Sequence, residues 1–458
     1  MSRPIHGRMF VLLLTIAGSG TAYSQTTMSL EDLERMALAN NPTLGQAAAG
    51  VQMAAGRKLQ AGLYPNPTIG ATGDEIATGP IIRGGEIGGS FSQRIVTAGK
   101  LGLSKRVAEQ DQREATAEAD AQRYRVLNAV KLLYYQALGN QRTIEVRTQL
   151  AQLARQAVRI SQELANVGQA DRPDLAAAEI EAERIELELM TAQYERDQTW
   201  RQLAAVVNNP SLTPTQLAGN LEDLPKLDLA PALEEIYRES PELRAANVGV
   251  DRAELAVRRA KVEKIPDVIV SGGVRYNREL LEVSNGGALR PVGKEGFFDI
   301  RVEIPLFNRN QGNVAAARAE LERSRLDVER TRLALRSRFA LAYREYQVAM
   351  ATADRYKTSM IPRAQQAYQL YLSAFQRMGA AYPQALISQR NLFQLQDDYV
   401  KALVRAWQHS IEIQGLLLSD GIEMNQPRLS GGTMPAPGQA NEEHYRIRRA
   451  KCSSLHQI

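Results

Sequence analysis

Side chains able to make or break bonds are few and scattered in this 458-residue chain. Its four histidines, His6, His409, His444 and His456, leave no pair at metal-ligand spacing. No phosphate-cradling Gly-x-x-x-x-Gly-Lys loop, Gly-x-Ser-x-Gly elbow or His-Glu-x-x-His motif occurs, so neither nucleotide-driven work nor hydrolysis has a candidate site. The run Glu179, Glu181, Glu183, Glu186 and Glu188 has the donor type for a cation, but such a run on a helix is far more often its wet face. What remains is charge placed in patterns. Arg275, Asp299, Arg301 and Glu303 alternate with apolar residues, and Asp171, Arg172, Asp174 and Arg377 stand beside Gly168 and Gly379. Residues of this kind line, pair or gate. No enzyme activity, cofactor or metal is expected.

The elements that must position them start with a rod. From about Leu101 to Val167 the apolar residues recur at three-and-four spacing, with Gly139 the only glycine between Leu103 and Val167 and no proline. A helix of that size is on the order of 100 Å long at about 1.5 Å per residue, which suits a coiled coil or helical tube better than a globular core. Ahead of it, Arg3 and Arg8 precede the apolar Met9–Ala17 and the small residues of Ala22-Tyr23-Ser24, the pattern of a secretory signal over residues 1–24. The single cysteine, Cys452, offers no disulfide framework and no lipid attachment at a mature start. Most of the +5 net charge lies in that leader and in the basic residues after Gly421, leaving the body near neutral, which argues against nucleic acid as a partner. Residues 422–458 are rich in Gly, Pro and Ser and predict a disordered tail.

The chain repeats itself. Pro42 and Pro241 lie 199 positions apart, and the same offset pairs Ala47 with Ala246, Gly50 with Gly249, Val51 with Val250 and Pro67 with Pro266. Further on the offset is 211, pairing Tyr135 with Tyr346, Gln136 with Gln347, Gly168 with Gly379 and Leu175 with Leu386. Each copy reads as helix, two strands, long helix and return helix, over residues 25–209 and 231–421 with a Pro-containing linker at 210–230. The twelve extra residues are expected in the loop Arg278–Glu295 between the strands of the second copy. Gly168 suits a helix end, Asp171 an N-cap and Pro173 a first turn, so a tight reversal is expected there and again near Gly379. Pro362, inside the second rod, predicts a kink.

In the strands, Val268, Val270, Val274 and Tyr276 fall on one side and Ser271, Arg275 and Asn277 on the other; Phe298, Ile300, Val302 and Ile304 oppose Asp299, Arg301 and Glu303. A hairpin half-buried on helices would explain any one of these strands. In an exported chain, however, runs of about 9–11 residues can cross an outer membrane. Strands in hydrocarbon cannot leave edges unpaired, and four cannot close a barrel. Two chains would give eight strands and a filled lumen; three give twelve and an open bore, which the charged face suits.

These residues resemble the TolC-like outer-membrane efflux channels over about Leu30–Leu418. The likeness rests on the duplication, on Asn41-Pro42 and Ser240-Pro241 opening matching helices, on Ile304-Pro305-Leu306-Phe307 followed by Asn308 to Gly312, on Met360-Ile361-Pro362-Arg363-Ala364, and on Tyr382 to Leu392. The general look is nearest the heavy-metal efflux branch. The resemblance implies a mainly α fold with a small β part: duplicated helical hairpins forming an α-helical barrel, and four strands per chain contributing to a trimeric 12-stranded β-barrel in the outer membrane of a Gram-negative bacterium. It implies a passive exit duct working with a periplasmic adaptor and an inner-membrane RND-type pump. On that reading Gly168, Asp171, Arg172, Asp174, Arg377 and Gly379 mark the periplasmic tip or gate, and Arg275, Asp299, Arg301 and Glu303 the barrel lumen. The alternative is a periplasmic coiled-coil scaffold or adaptor, which would have a single helical hairpin and no membrane strands.

Overall fold

The structure, a computed structural model, describes residues 27–74, 85–167, 172–282, 289–376 and 382–418. The proposed leader and tail lie outside them. Local signals set the helix starts. Ser29 and Asp32 form a reciprocal capping box at the head of α1 (Leu30–Asn40). At the head of α2 (Pro42–Ala61), Asn41 Oδ1 accepts from the Thr43 amide at 2.9 Å, while its own amide donates to the Val206 carbonyl at 2.8 Å. Ser240 plays the capping part for α6 (Pro241–Val262), which follows α5 (Leu229–Glu239).

Two rods dominate. The first, α3 (Lys100–Asn166), is an unbroken helix of 67 residues, and α4 (Arg172–Val206) returns along it. The second consists of α7 (Gln311–Arg355), a π turn (Tyr356–Met360) and α8 (Ile361–Gln376), with α9 (Tyr382–Gln414) returning. Pro362 therefore sits just past a π turn. Lacking an N–H and crowding the carbonyl one turn back, it is accommodated by a widened turn of backbone. Both rods begin from a residue in the left-handed region, Gly99 (φ 65°) and Asn310 (φ 61°), at the repeat offset of 211. That conformation suits Gly and Asn. The Asn310 amide also donates to the Ala260 carbonyl at 2.8 Å, fixing the turn onto α6.

Between the helices lies one antiparallel sheet in the order β1 (Thr68–Asp74), β2 (Glu86–Ile95), β3 (Val268–Glu282), β4 (Leu289–Val302). The β2–β3 pairing joins the two repeats, from Glu86 opposite Asn277 to Ile95 opposite Val268. The expected long loop Arg278–Glu295 is corrected. Most of the extra residues extend β3 and β4 into a longer hairpin, paired out to Glu282 opposite Leu289 after a register shift between Asn277 and Leu280. The second strand of this hairpin ends at Val302, short of the alternation that ran on to Ile304, and Pro305 has no N–H with which to carry the ladder on.

Packing makes the described residues a slab one layer thick. Nearest the strands the helices lie side by side as α2, α3, α6, α7; farther away the order is α4, α3, α9, α8. The largest core is at mid-height, where Leu33, Val126, Val130, Tyr134, Trp200, Leu203 and Trp407 are buried together. Segment 208–228 wraps this level. It forms a parallel bridge from Leu217 to Met28, its Leu221 carbonyl accepts from Trp407 Nε1 at 2.9 Å, and its Pro225 carbonyl accepts from the Tyr346 hydroxyl at 2.5 Å. Gly139 permits the closest approach of α3 and α9: a Cβ there would lie 2.4 Å from Val404 Cγ2.

Candidate functional site

The sheet presents two faces of opposite character. On one, Ile69, Ile87, Phe91, Ile95, Val274, Tyr276, Phe298, Ile300 and Val302 all stand exposed, Ile69 at 85% and Phe298 at 71%. The register aligns them across strands, for example Ile69 with Phe91 and Val270 with Ile300. So large an exposed apolar surface is unfavourable in water and favourable against lipid. The opposite face carries Thr68, Ser90, Ser92, Ser271, Arg275, Glu295, Asp299 and Arg301. There Arg275 lies among three carboxylates: it pairs closely with Glu86, and with Glu295 at 3.3 Å and Asp74 at 3.9 Å. Asp299 and Arg301 pair at 3.2 Å. Glu303, expected with them, lies one residue beyond the end of β4 and is exposed. Phe297 also falls on the polar face, a position the alternation from Phe298 onward did not reveal. Its ring lies over Gly273, where a Cβ would be 2.6 Å from Cε1.

The slab has two lateral edges, and among the described residues neither is satisfied. In the sheet, β1 and β4 each have one unpaired side. Below them, α2 and α4 form one margin and α7 and α8 the other. Ile180, Leu187, Met190 and Tyr194 make an exposed stripe on α4 at heptad-like spacing, continued by Met53 and Leu59 on α2. Leu326, Leu333, Leu341 and Val348 make its counterpart on α7, continued by Leu370 and Tyr371 on α8. The signal was present in the sequence. It lay on the same helix as the acidic run, which drew the chemical reading instead.

The acidic run itself is largely neutralised. Glu181 pairs with Arg184 at 2.7 Å and Arg390 at 3.7 Å, Glu188 with Arg184 at 3.6 Å, and Glu186 with Arg155 at 2.7 Å. Among the described residues no group of three or more His, Cys, Asp or Glu side chains could hold a metal ion. Of the tip residues, Arg172 and Asp174 are exposed in the first turn of α4, far along the rods from the sheet. Gly168, Asp171, Arg377 and Gly379 lie outside the described residues.

Two charged clusters escaped the sequence reading, because their members are distant in the chain. Asp397 of α9 receives Lys401 at 2.8 Å and Arg147 of α3 at 3.2 Å, while Arg147 also donates to the Glu188 carbonyl of α4 at 2.6 Å. Burial alone would push the Asp397 carboxyl up, but the Lys401 hydrogen bond and the Arg147 charge outweigh it and hold it below its ordinary value. This network binds three helices together. At mid-height Glu222 accepts from Lys357 of the π turn at 2.6 Å and from the Tyr399 hydroxyl of α9 at 2.9 Å. The Lys357 hydrogen bond, against a smaller opposing effect of burial, keeps Glu222 ionised below the usual carboxylate range, and burial with the Glu222 carboxylate raises Tyr399, so its hydroxyl stays a donor.

Among the described residues no helix is long and apolar enough to cross a membrane. Known proteins agree with this geometry. CzcC, a cobalt-zinc-cadmium resistance protein of Cupriavidus metallidurans, is 24% identical over 396 residues, covering 85% of this chain and 90% of that protein. Protein CyaE of Bordetella pertussis is 25% identical over 335 residues, covering 70% and 69%. The crystal structure of CusC shares the fold with a TM-score of 0.72 at 16% identity, covering 85% of this chain and 92% of that one. The family model described as outer membrane efflux protein matches residues 33–209 and 232–417, one segment in each repeat. The chain belongs to the outer membrane efflux protein family, and it is an efflux channel of the outer membrane.

Proposed function

We propose that three copies of this chain close edge to edge into a twelve-stranded barrel continued by a helical tunnel, and that the assembly is the passive exit duct for an inner-membrane RND-type pump and its periplasmic adaptor. One observation carries the proposal: from the sheet down through the helices, the slab has an unsatisfied margin on each side. The two margins differ, one formed by β1, α2 and α4 and the other by β4, α7 and α8. Unlike surfaces that complement each other give head-to-tail contacts, which form a ring when the rotation from one copy to the next closes. Closure pairs β4 of one copy with β1 of the next, leaving no sheet edge in lipid. Three copies rather than two fit the polar face, because Arg275, Asp299 and Arg301 need a bore wide enough for water. Arg172 and Asp174 then lie at the periplasmic mouth, where tip contacts or gating ion pairs with Asp171 and Arg377 are placed by this reading. With no nucleotide site in the sequence, conduction is passive and the driving energy comes from the partners.

The test is fractionation followed by electrophysiology. The protein is expected in the outer membrane, as a trimer in mild detergent, conducting weakly in planar bilayers. A monomeric, osmotically released protein would return the reading to a scaffold or adaptor. The cobalt, zinc and cadmium resistance named for the Cupriavidus relative makes divalent metal the first cargo to test, by metal sensitivity of a deletion strain.

A further inference from the structure

In the half of the slab farthest from the strands, the four helices are not held alike. Arg147, the Glu188 carbonyl and Asp397 bind α3, α4 and α9 to one another through buried polar contacts. The described part of α8 has no fully buried side chain, and within the chain its helix neighbour there is α9. Among the described residues it is also the only one of the four that continues from a π turn, a rare backbone form that is frequent at functional sites and at which helices kink. Beside that turn lies a cleft of about 460 Å³, bordered by Val146 and Leu138 of α3, Ile361 of α8 and Leu403 of α9, so the start of α8 borders open space on that side. Three of the residues that line the cleft are linked to one another. Glu222, on the segment joining the two repeats, receives Lys357 from the π turn and Tyr399 from α9 through its two carboxylate oxygens.

We propose that Glu222 is a latch: by holding Lys357 and Tyr399 at once it fixes the π turn against α9, and its release lets α8 swing about that turn, widening the tunnel below. The inference rests on the channel reading above and adds a control point at mid-height, remote from the tip charges. Its position is informative. A segment that only connected two repeats would not need to reach the one irregular turn of the opposite rod, yet 208–228 is anchored by Trp407 and Tyr346 on both sides of Glu222.

The full-length protein in planar bilayers provides the test, with spin labels at Gln366→Cys on α8 and Gln394→Cys on α9 in a Cys452→Ser background. Glu222→Gln and Lys357→Met are each expected to raise open probability by about 1.5- to fivefold, the range for one partly exposed ion pair. Both should broaden the label-to-label distance distribution. The swapped pair Glu222→Lys with Lys357→Glu should restore both readouts toward wild type, which simple loss of stability would not. Should a single variant fail to assemble, Tyr399→Phe, which removes only one hydrogen bond onto Glu222, is expected to give a smaller change of the same sign. Open probability and distances equal to wild type in the assembled variants overturn the latch. A wild type that never conducts, even with the tip charges removed, overturns the channel reading instead, so the two failures are distinguishable.

Discussion

The assignment of the sheet faces can be tested at two adjacent residues of one strand. Phe298 and Asp299 of β4 point to opposite sides, Phe298 exposed with the apolar set and Asp299 paired with Arg301 on the polar side. If the apolar face meets lipid, Phe298→Arg places a guanidinium in hydrocarbon at a cost of about 2–4 kcal/mol per chain near the bilayer midplane. In a ring of three the cost is paid three times, on the order of 6–12 kcal/mol per assembly, comparable to the whole stability of many domains. Asp299→Arg turns one exposed ion pair into a like-charge contact with Arg301, but the new charge stays in a wet, screened bore, a change on the order of 1 kcal/mol per chain. Outer-membrane fractions are assayed by the amount of assembled trimer and by its dissociation temperature in mild detergent. Phe298→Arg should deplete the trimer or lower that temperature sharply, while Asp299→Arg stays close to wild type. Equal tolerance of both changes, or greater damage from Asp299→Arg, would refute the orientation and with it the lipid belt.

Five further outcomes are expected. Asp397→Ala strands the largely buried Arg147 and should destabilise by about 2–3 kcal/mol, whereas Arg147→Met with Asp397→Leu should be close to neutral, both read from chemical denaturation of the assembled protein. Because the Asp397 carboxyl is held below its ordinary value, its contribution is complete above the usual carboxylate range and disappears as pH falls through the folded value, below roughly pH 4; the dissociation temperature should drop there in wild type and less steeply in Asp397→Asn. Gly139→Ala must displace Val404 and should destabilise, but Gly249→Ala, with nothing within 4 Å of the new methyl, should gain up to about 1 kcal/mol; equal effects would show that the α3–α9 approach is looser than described. Leu187→Glu on the α4 stripe should abolish trimers in detergent gels without unfolding the monomer by circular dichroism, while Asp171→Ala, Asp174→Ala and Arg377→Ala combined should raise conductance if the tip charges gate.

Much of the fold was legible because the duplication repeats its punctuation. The offset linking Tyr135 to Tyr346 also carries Gly99 onto Asn310, the two residues at which strands give way to rods. The clean alternation around Phe298 and Asp299 gave the faces of the sheet, since period two is a direct imprint of pleating. Other features were hidden for physical reasons. The length of the β3–β4 hairpin depends on a register shift at Asn277 that polar, Gly-containing residues do not signal. Arg147, Asp397 and the Glu188 carbonyl meet only once three helices pack, so no local spacing betrays them. The π turn leaves little mark beyond Pro362, which reads equally well as a kink.

That turn also limits how alike the two halves of the chain can be. Because the offset of 211 holds on both sides of it, the rods have the same number of residues, yet one spends a residue on a wider turn and the other does not. Positions past Met360 are therefore rotated by roughly 100° and set back by about 1.5 Å relative to their sequence counterparts past Gln149. In the proposed ring of three chains the two rods match in helical register above the irregularity and differ below it, where only the threefold axis would relate like positions. A partner with six equal arms would find alternating, chemically distinct seats, and one built in threes would find each seat the same.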